Sequence, residues 1–238
     1  MTEQPEVEFT GPGDSPKLFG RIATHYDMMN RLMSLGLDRH WRDIAARALG
    51  TARNGSVLDV GIGTGDMAAA VIDSKPTATV VGVDPTARMM QVGRTKPKAE
   101  PVRWAQADGL RLPFPDRSFD AAVSAFVLRN VVDVSLALAE QRRVVRCGGR
   151  IVCLEICWPR TPIAGRVLRS YFGDLMPRVA GLLSGRPAAY GYLPRSVRRF
   201  MSPQELARAM ERVGLDRVRC ERLALGTVTL HVGERIRE

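Results

Sequence analysis

A glycine-rich segment flanked by acids, Asp59-Val60-Gly61-Ile62-Gly63-Thr64-Gly65-Asp66, follows a short apolar run and leads into a stretch of helical character. A strand that ends in Gly-x-Gly-x-Gly and enters a helix makes a tight turn, because glycine permits positive φ and a close ligand approach. Two ligand classes compete for such a turn. A dinucleotide site wants Gly-x-Gly-x-x-Gly/Ala, with the pyrophosphate on the helix N-terminus. Counted from Gly61, the sixth position is Asp66, and a carboxylate there repels a pyrophosphate. A nucleoside that carries an ammonium and a sulfonium instead of phosphates meets no such repulsion. Asp84 ends the next apolar run, 23 residues beyond Gly61, where a carboxylate can accept from both ribose hydroxyls. Pro85 makes an N-cap role for Asp84 compatible as well. Asp108 follows a third apolar run.

The elements that must hold these acids alternate in type. Apolar, β-branched runs at 56–60, 77–83, 102–107, 119–125 and 150–156 are strand candidates. Helical patterns fall between them at 64–73, 87–95 and 134–145. Such alternation predicts a parallel, doubly wound sheet. Residues 17–54 read as helical. Residues 163–184 read as an amphipathic helix with Arg166, Arg169 and Arg178 between apolar positions. Ser202-Pro203-Gln204-Glu205 is a capping box with Pro at the first helical position, starting a helix that Gly214 stops. Residues 218–225 and 228–232 read as a terminal antiparallel pair.

The acid-flanked loop resembles the cofactor loop of class I S-adenosylmethionine-dependent methyltransferases. More of the chain resembles the menaquinone/ubiquinone-biosynthesis C-methyltransferases. The resemblance is carried by Tyr26-Asp27-Met28-Met29-Asn30 with Ser34 and His40-Trp41, by Leu112-Pro113-Phe114-Pro115-Asp116, and by Leu128-Arg129-Asn130-Val131. Arg143-Val144-Val145-Arg146-Cys147-Gly148-Gly149, leading to Glu155-Ile156-Cys157, and Tyr190-Gly191-Tyr192-Leu193 extend it over residues 18–233. Departures from the family pattern are Cys147 for Pro, Cys157 for Ser, Ala125 where Ser is common, and Glu234-Arg235 for Tyr-Lys.

The resemblance implies an α/β fold with a doubly wound, mostly parallel seven-stranded Rossmann-like sheet. It implies N-terminal helices and a helical insertion before the last strands. Residues 1–16 would be a flexible tail and 17–238 a single methyltransferase domain, with a helical cover at 17–54 and an insertion or lid at 160–200. The implied cofactor is S-adenosyl-L-methionine, held by Tyr26, Asp59, Gly61, Gly63, Thr64, Gly65, Asp84, Asp108, Gly109 and Ala125, with Arg129 and Asn130 catalytic and no metal. The implied reaction is C-methylation of a demethylated prenyl quinol, demethylmenaquinol first. The alternative is another aromatic small molecule of specialised metabolism. Such a ring carbon attacks once a ring hydroxyl has lost its proton, so the site must stabilise a phenolate. Arg129 suits that charge and is itself a poor base. Tyr190 and Tyr192 read either as acceptor-pocket or core residues, and His25 and His40 as structural ones.

Composition bounds the rest. At 238 residues with 45% hydrophobic content, the chain can bury a sizeable core. No run of eighteen apolar residues occurs. Met1 to Pro16 carries four acids and no base, unlike a signal peptide. The four cysteines, Cys147, Cys153, Cys157 and Cys220, include no CxxC pair, so zinc is not expected and free thiols are. A cytoplasmic enzyme is expected. Net charge is +10, and residues 160–238 hold fifteen Arg against seven acids. That excess suits a solvated surface, an anionic membrane surface or nucleic acid. Base methylases carry Asn/Asp-Pro-Pro-aromatic after the fourth strand, where this chain has Val127-Leu128-Arg129-Asn130, so nucleic acid is not expected. The expected partners are a small quinol or other aromatic, a peripheral membrane contact and a second copy of the chain.

Overall fold

A computed structural model describes residues 12–50, 54–158 and 192–236. After a 3-10 turn at Pro12–Asp14 come helices α1 (Ser15–Ser34) and α2 (Leu37–Ala48). Then β1 (Ser56–Val60), α3 (Asp66–Ser74), β2 (Thr79–Asp84), α4 (Ala87–Arg94), β3 (Val102–Gln106) and β4 (Phe119–Ala125) follow in alternation. A 3-10 turn at Leu128–Asn130 leads to α5 (Val134–Val144) and β5 (Val145–Ile156). The last elements are α6 (Tyr192–Arg199), α7 (Pro203–Arg212), β6 (Asp216–Leu223) and β7 (Val228–Glu234).

The seven strands form one sheet in the order β3-β2-β1-β4-β5-β7-β6. β3, β2, β1, β4 and β5 pair in parallel, and β7 runs antiparallel to both β5 and β6. The expected doubly wound, mostly parallel sheet is therefore present, with its reversal confined to the C-terminal hairpin. Strand burial explains the apolar runs. Val57, Val123, Val152 and Leu230 point to one face, against Ala45 of α2, Leu49 at its C-terminal cap, and Ala68 and Val71 of α3. Leu58, Ala122, Ile151 and Cys153 point to the other, against Leu138 of α5 and Leu206 and Met210 of α7. A strand buried on both faces cannot alternate apolar with polar. β6, at the sheet edge, is lined instead by exposed Arg217, Arg219, Glu221 and Arg222, which discourages pairing with another chain.

β5 begins earlier than the turn at Gly148-Gly149 predicts. Val145 already pairs with Phe119, the next pair is Arg150 with Ala121, and residues 146–149 form an excursion between them. The excursion is closed by Arg235, whose carbonyl accepts from Gly148 N–H at 2.7 Å and whose N–H donates to Gly149 O at 2.9 Å. The buried Arg235 guanidinium also donates to the carbonyls of Arg142, Arg143 and Val145. It thereby caps the end of α5, which pattern alone could not place.

α1 ends at Leu35 and Gly36, both left-handed (φ 52° and 77°), and this corner folds α2 back beside it. Met29, Leu32 and Met33 of α1 form a small apolar cluster of their own, separate from the two faces of the core. The expected helix at 163–184 and Tyr190 lie outside the described residues; of the region 160–200 the structure describes α6. No described helix is long and apolar enough to cross a membrane.

The capping box at Ser202 is present, with Glu205 N–H donating to the Ser202 hydroxyl and Ser202 N–H to the Glu205 carboxylate. Replacing Ser202 by Ala removes one of these bonds and should cost about 1 kcal/mol, a fall of about 2–4 °C in melting temperature. Thermal unfolding of the variant followed by circular dichroism checks this.

Candidate active site

The glycine-rich loop is bent by its own backbone and clamped by one acid. Gly61 and Ile62 N–H both donate to the Val83 carbonyl, at 2.8 and 2.9 Å, so the chain turns as soon as β1 ends. Gly61 has φ 73°, and a Cβ there would stand 2.4 Å from the Val127 side chain, so only glycine fits. Asp84, the last residue of β2, accepts from Gly63 N–H at 2.9 Å with Oδ2 and from Thr86 N–H at 2.8 Å with Oδ1. One carboxylate thus fixes the loop after β1 and the entry to α4. Burial pushes the Asp84 carboxyl up, while the bonds from Thr86 and Gly63 oppose the rise. The Thr86 hydroxyl bonds the carboxylate as well, which leaves one lone pair for a ligand.

A cavity of about 260 Å³ lies between this loop and α1, room for one small ligand on the scale of roughly 300–1,000 Å³ sites. Seven of the positions singled out as cofactor-binding line it: Tyr26, Gly61, Gly63, Asp84, Asp108, Gly109 and Ala125. Three do not. Thr64 is buried, and its hydroxyl donates to Asp27 of α1 at 2.5 Å. Gly65, at the end of the loop, and Asp59, in β1, also lie outside the lining. Asp59 is 1% exposed and neither of its oxygens meets a donor in hydrogen-bonding geometry. Burial pushes its carboxyl up to about 7; Arg42 and, more weakly, the Ala68 N–H oppose this, and Asp84 and Asp66 reinforce it. Arg42 of α2 is itself buried over the Phe126 ring at 4.9 Å, with Nε 3.7 Å from Asp38.

Asp66 also sits away from the cavity, paired with Lys96 at 2.6 Å. Its charge is thus spent on a lysine, and the case against a pyrophosphate passes to the lining. The described lining contains the carboxylates of Asp84 and Asp108 and no Lys, Arg or His. A cationic ligand is matched by that potential, and a polyanion is opposed by it.

The two positions singled out as catalytic separate. Asn130 lines the cavity, with Nδ2 donating to Phe126 O at 3.0 Å and its backbone carbonyl accepting from the Ser15 hydroxyl at 3.0 Å. Arg129 turns inward: 8% exposed, it donates from Nη1 to Glu155 at 3.0 Å, and Glu155 also accepts Leu128 N–H at 2.6 Å. Burial pushes the Glu155 carboxyl up while Arg129 pulls it down, with a net rise. No group of three potential metal ligands occurs among the described residues.

Comparison with known proteins assigns the chain. The model of the ubiE/COQ5 methyltransferase family matches residues 13–235. The chain belongs to this family. It is 42% identical to the demethylmenaquinone methyltransferase of Thermus thermophilus, over 92% of this chain and 100% of that one. It is 41% identical to the ubiquinone/menaquinone biosynthesis C-methyltransferase of Syntrophotalea carbinolica, over 93% and 94%. Among solved structures it is similar in fold to a SAM-dependent methyltransferase from Thermotoga maritima (TM-score 0.67, 20% identity, 92% of this chain and 99% of that). It is likewise similar to one from Aquifex aeolicus (TM-score 0.62, 16% identity, 88% and 97%).

This methyltransferase uses S-adenosyl-L-methionine, and the lining fits it: two acids, no base, and a glycine turn that lets a ligand reach the backbone. Sequence reasoning missed Ser15, Phe19, Thr86 and Met89 in the wall. Phe19 packs edge-on against Tyr26 at 5.8 Å, a seven-residue spacing on α1 that was a readable sign of a shared face.

Asp59 ties this geometry to pH. Its carboxyl is raised from 3.8 to about 7, so between those values the folded chain keeps a proton that the unfolded chain has lost. Folding stability from this group therefore falls as pH rises through that window and stays low above it. Asp59→Asn should unfold less readily than the wild type at pH 8, by up to roughly 4 kcal/mol, with the gain fading towards pH 4. Urea unfolding of the ligand-free proteins across that range checks the sign; a less stable variant at pH 8 would sink the account.

Proposed function

We propose that the enzyme transfers a methyl group from S-adenosylmethionine to a ring carbon of a demethylated prenyl quinol, demethylmenaquinol first. The observation that carries the reading is a cavity whose lining joins the carboxylates of Asp84 and Asp108 to apolar Phe19, Val127, Val131 and Val132, with Asn130 among them. The relatives at 41–42% identity, named as demethylmenaquinone and ubiquinone/menaquinone methyltransferases, point to the same acceptor class.

When bound, the cofactor supplies a methyl on a sulfonium, open to in-line attack. In this reading Asp84 accepts a ribose hydroxyl through the lone pair that Gly63 and Thr86 leave. Asp108, already turned by its bond from Leu110 N–H, accepts from the adenine amino group. Asp59, Thr64 and Gly65 act from outside the lining by holding the loop. Tyr26 and Phe19 cover the cavity and exclude water, which strengthens every charge interaction inside. Asn130 orients the acceptor. Arg129, its charge paired with Glu155, acts by closing the turn that carries Asn130 rather than by touching the acceptor.

A prenyl quinol is insoluble in water, so the reading includes contact with the bilayer surface. Arg195, Arg198 and Arg199 are exposed on α6, which packs against the Leu128–Asn130 turn, and Val132 and Leu136 are exposed beside that turn. Arginines around apolar residues suit an anionic interface.

Incubation of the purified enzyme with labelled S-adenosylmethionine and a membrane lipid extract tests the acceptor. The label should appear in a methylated naphthoquinol. Label in a different, non-prenylated aromatic, with none in the quinone fraction, would overturn it. Asn130→Ala should lower kcat by about 10²-fold through lost positioning and leave S-adenosylmethionine affinity within about threefold, as steady-state kinetics and calorimetry report.

A further inference from the structure

The cover helix is tied to the cofactor loop through a residue that no motif singled out. Lys96 follows α4 in a turn whose backbone is closed by its own N–H to Gly93 O and by Ala99 N–H to its carbonyl, each at 3.0 Å. Its ammonium lies 2.5 Å from Asp27 of α1 and 2.6 Å from Asp66, the first residue of α3. All three side chains are about three-quarters or more buried. The other oxygen of Asp27 accepts the Thr64 hydroxyl at 2.5 Å. A single cation therefore joins the cover, the loop and the helix that the loop enters.

Two carboxylates face each other across this one ammonium. Without it they repel at close range in a half-buried place, where charge interactions exceed their value in water. Lys96 is the nearest cation to Asp66, and Arg42 and Arg31 act on that acid more weakly. α1 also packs on α4, with Leu18 and Ala23 buried, and Ser15 donates to the Asn130 backbone carbonyl at the rim. The Lys96 ion pair is what joins this packing to the glycine loop, through Asp27 and Thr64, and a left-handed corner at Leu35-Gly36 forms the far end of the helix. Ser15, Phe19 and Tyr26 of α1 wall the cavity, so anything that enters or leaves on that side must lift the helix.

We propose that Lys96 is a positioning residue for cofactor binding, its ammonium holding α1 down on the cavity and, through Asp27, fixing Thr64 in the glycine loop. It touches no reacting atom. It acts through Asp27 and Asp66, and its effect falls on the affinity and residence of the nucleoside, not on the methyl-transfer step.

Calorimetric titration with S-adenosylhomocysteine alone tests this, since no acceptor takes part and the identity of the quinol does not enter. Lys96→Met should weaken binding about tenfold, and Lys96→Arg should restore it to within about threefold. Wild-type affinity should fall between low and roughly 0.5 M salt, and that of Lys96→Met should fall less. In the ligand-bound variant, amide exchange over Ser15–Ser34 should quicken while that of β1, β4 and β5 stays unchanged. Affinity within about twofold of the wild type in Lys96→Met would overturn the proposal. So would equal losses in the Met and Arg variants, or faster exchange throughout the sheet. Should Lys96→Met fail to fold, Asp27→Asn keeps an oxygen for Thr64 while removing the ammonium's partner on α1, and the same affinity and exchange criteria apply.

Discussion

The carboxylate of Asp84 holds two backbone amides at once, that of Gly63 and that of Thr86. Without it Gly63, at the middle of the loop, would lose its bond, leaving the two bonds to the Val83 carbonyl, the Gly65 N–H to the Ile62 carbonyl and the Thr64 bond to Asp27. The cavity, its acidic lining and the entry to α4 are all defined by that one group. The cost is a carboxyl buried beside a second buried acid, Asp59. Such costs persist where the surrounding fold over-determines the position, and here both faces of the parallel sheet are packed with side chains that leave β1 and β2 no freedom to move apart.

A chain of buried charges extends the same constraint outward. Asp59 faces Arg42, Arg42 stacks on Phe126, and Phe126 carries the carbonyl that orients Asn130. On the other side Arg129 and Glu155 close the Leu128–Asn130 turn against β5. The loop, the cover and the acceptor turn are therefore not independent loops on a scaffold. They are joined by ion pairs and amide bonds in a half-dry region, where an unpaired partner is expensive.

Much of this was legible in the sequence. Continuous apolar runs at 56–60 and 119–125 give buried parallel strands, and a glycine turn with an acid 23 residues on gives the loop and the carboxylate that clamps it at the cavity. What was not legible depends on distance along the chain. Nothing near Arg129 announces that Glu155, twenty-six residues later, will take its guanidinium. Asp66 reads as a ligand-facing acid until Lys96 is seen beside it. Arg235 gives no sign that it caps α5 through three carbonyls. β5 starts at Val145 because the excursion at 146–149 is paired with that same distant residue. Local pattern reports which face is buried; it does not report which partner arrives there.

The central claim is that the charge of this cavity selects a cationic nucleoside over a dinucleotide. Its most direct measurement is calorimetric titration of the purified protein with S-adenosylmethionine and, separately, with NAD. The account predicts saturable one-site binding of the first and no measurable binding of the second. Binding of NAD with none of S-adenosylmethionine would contradict it.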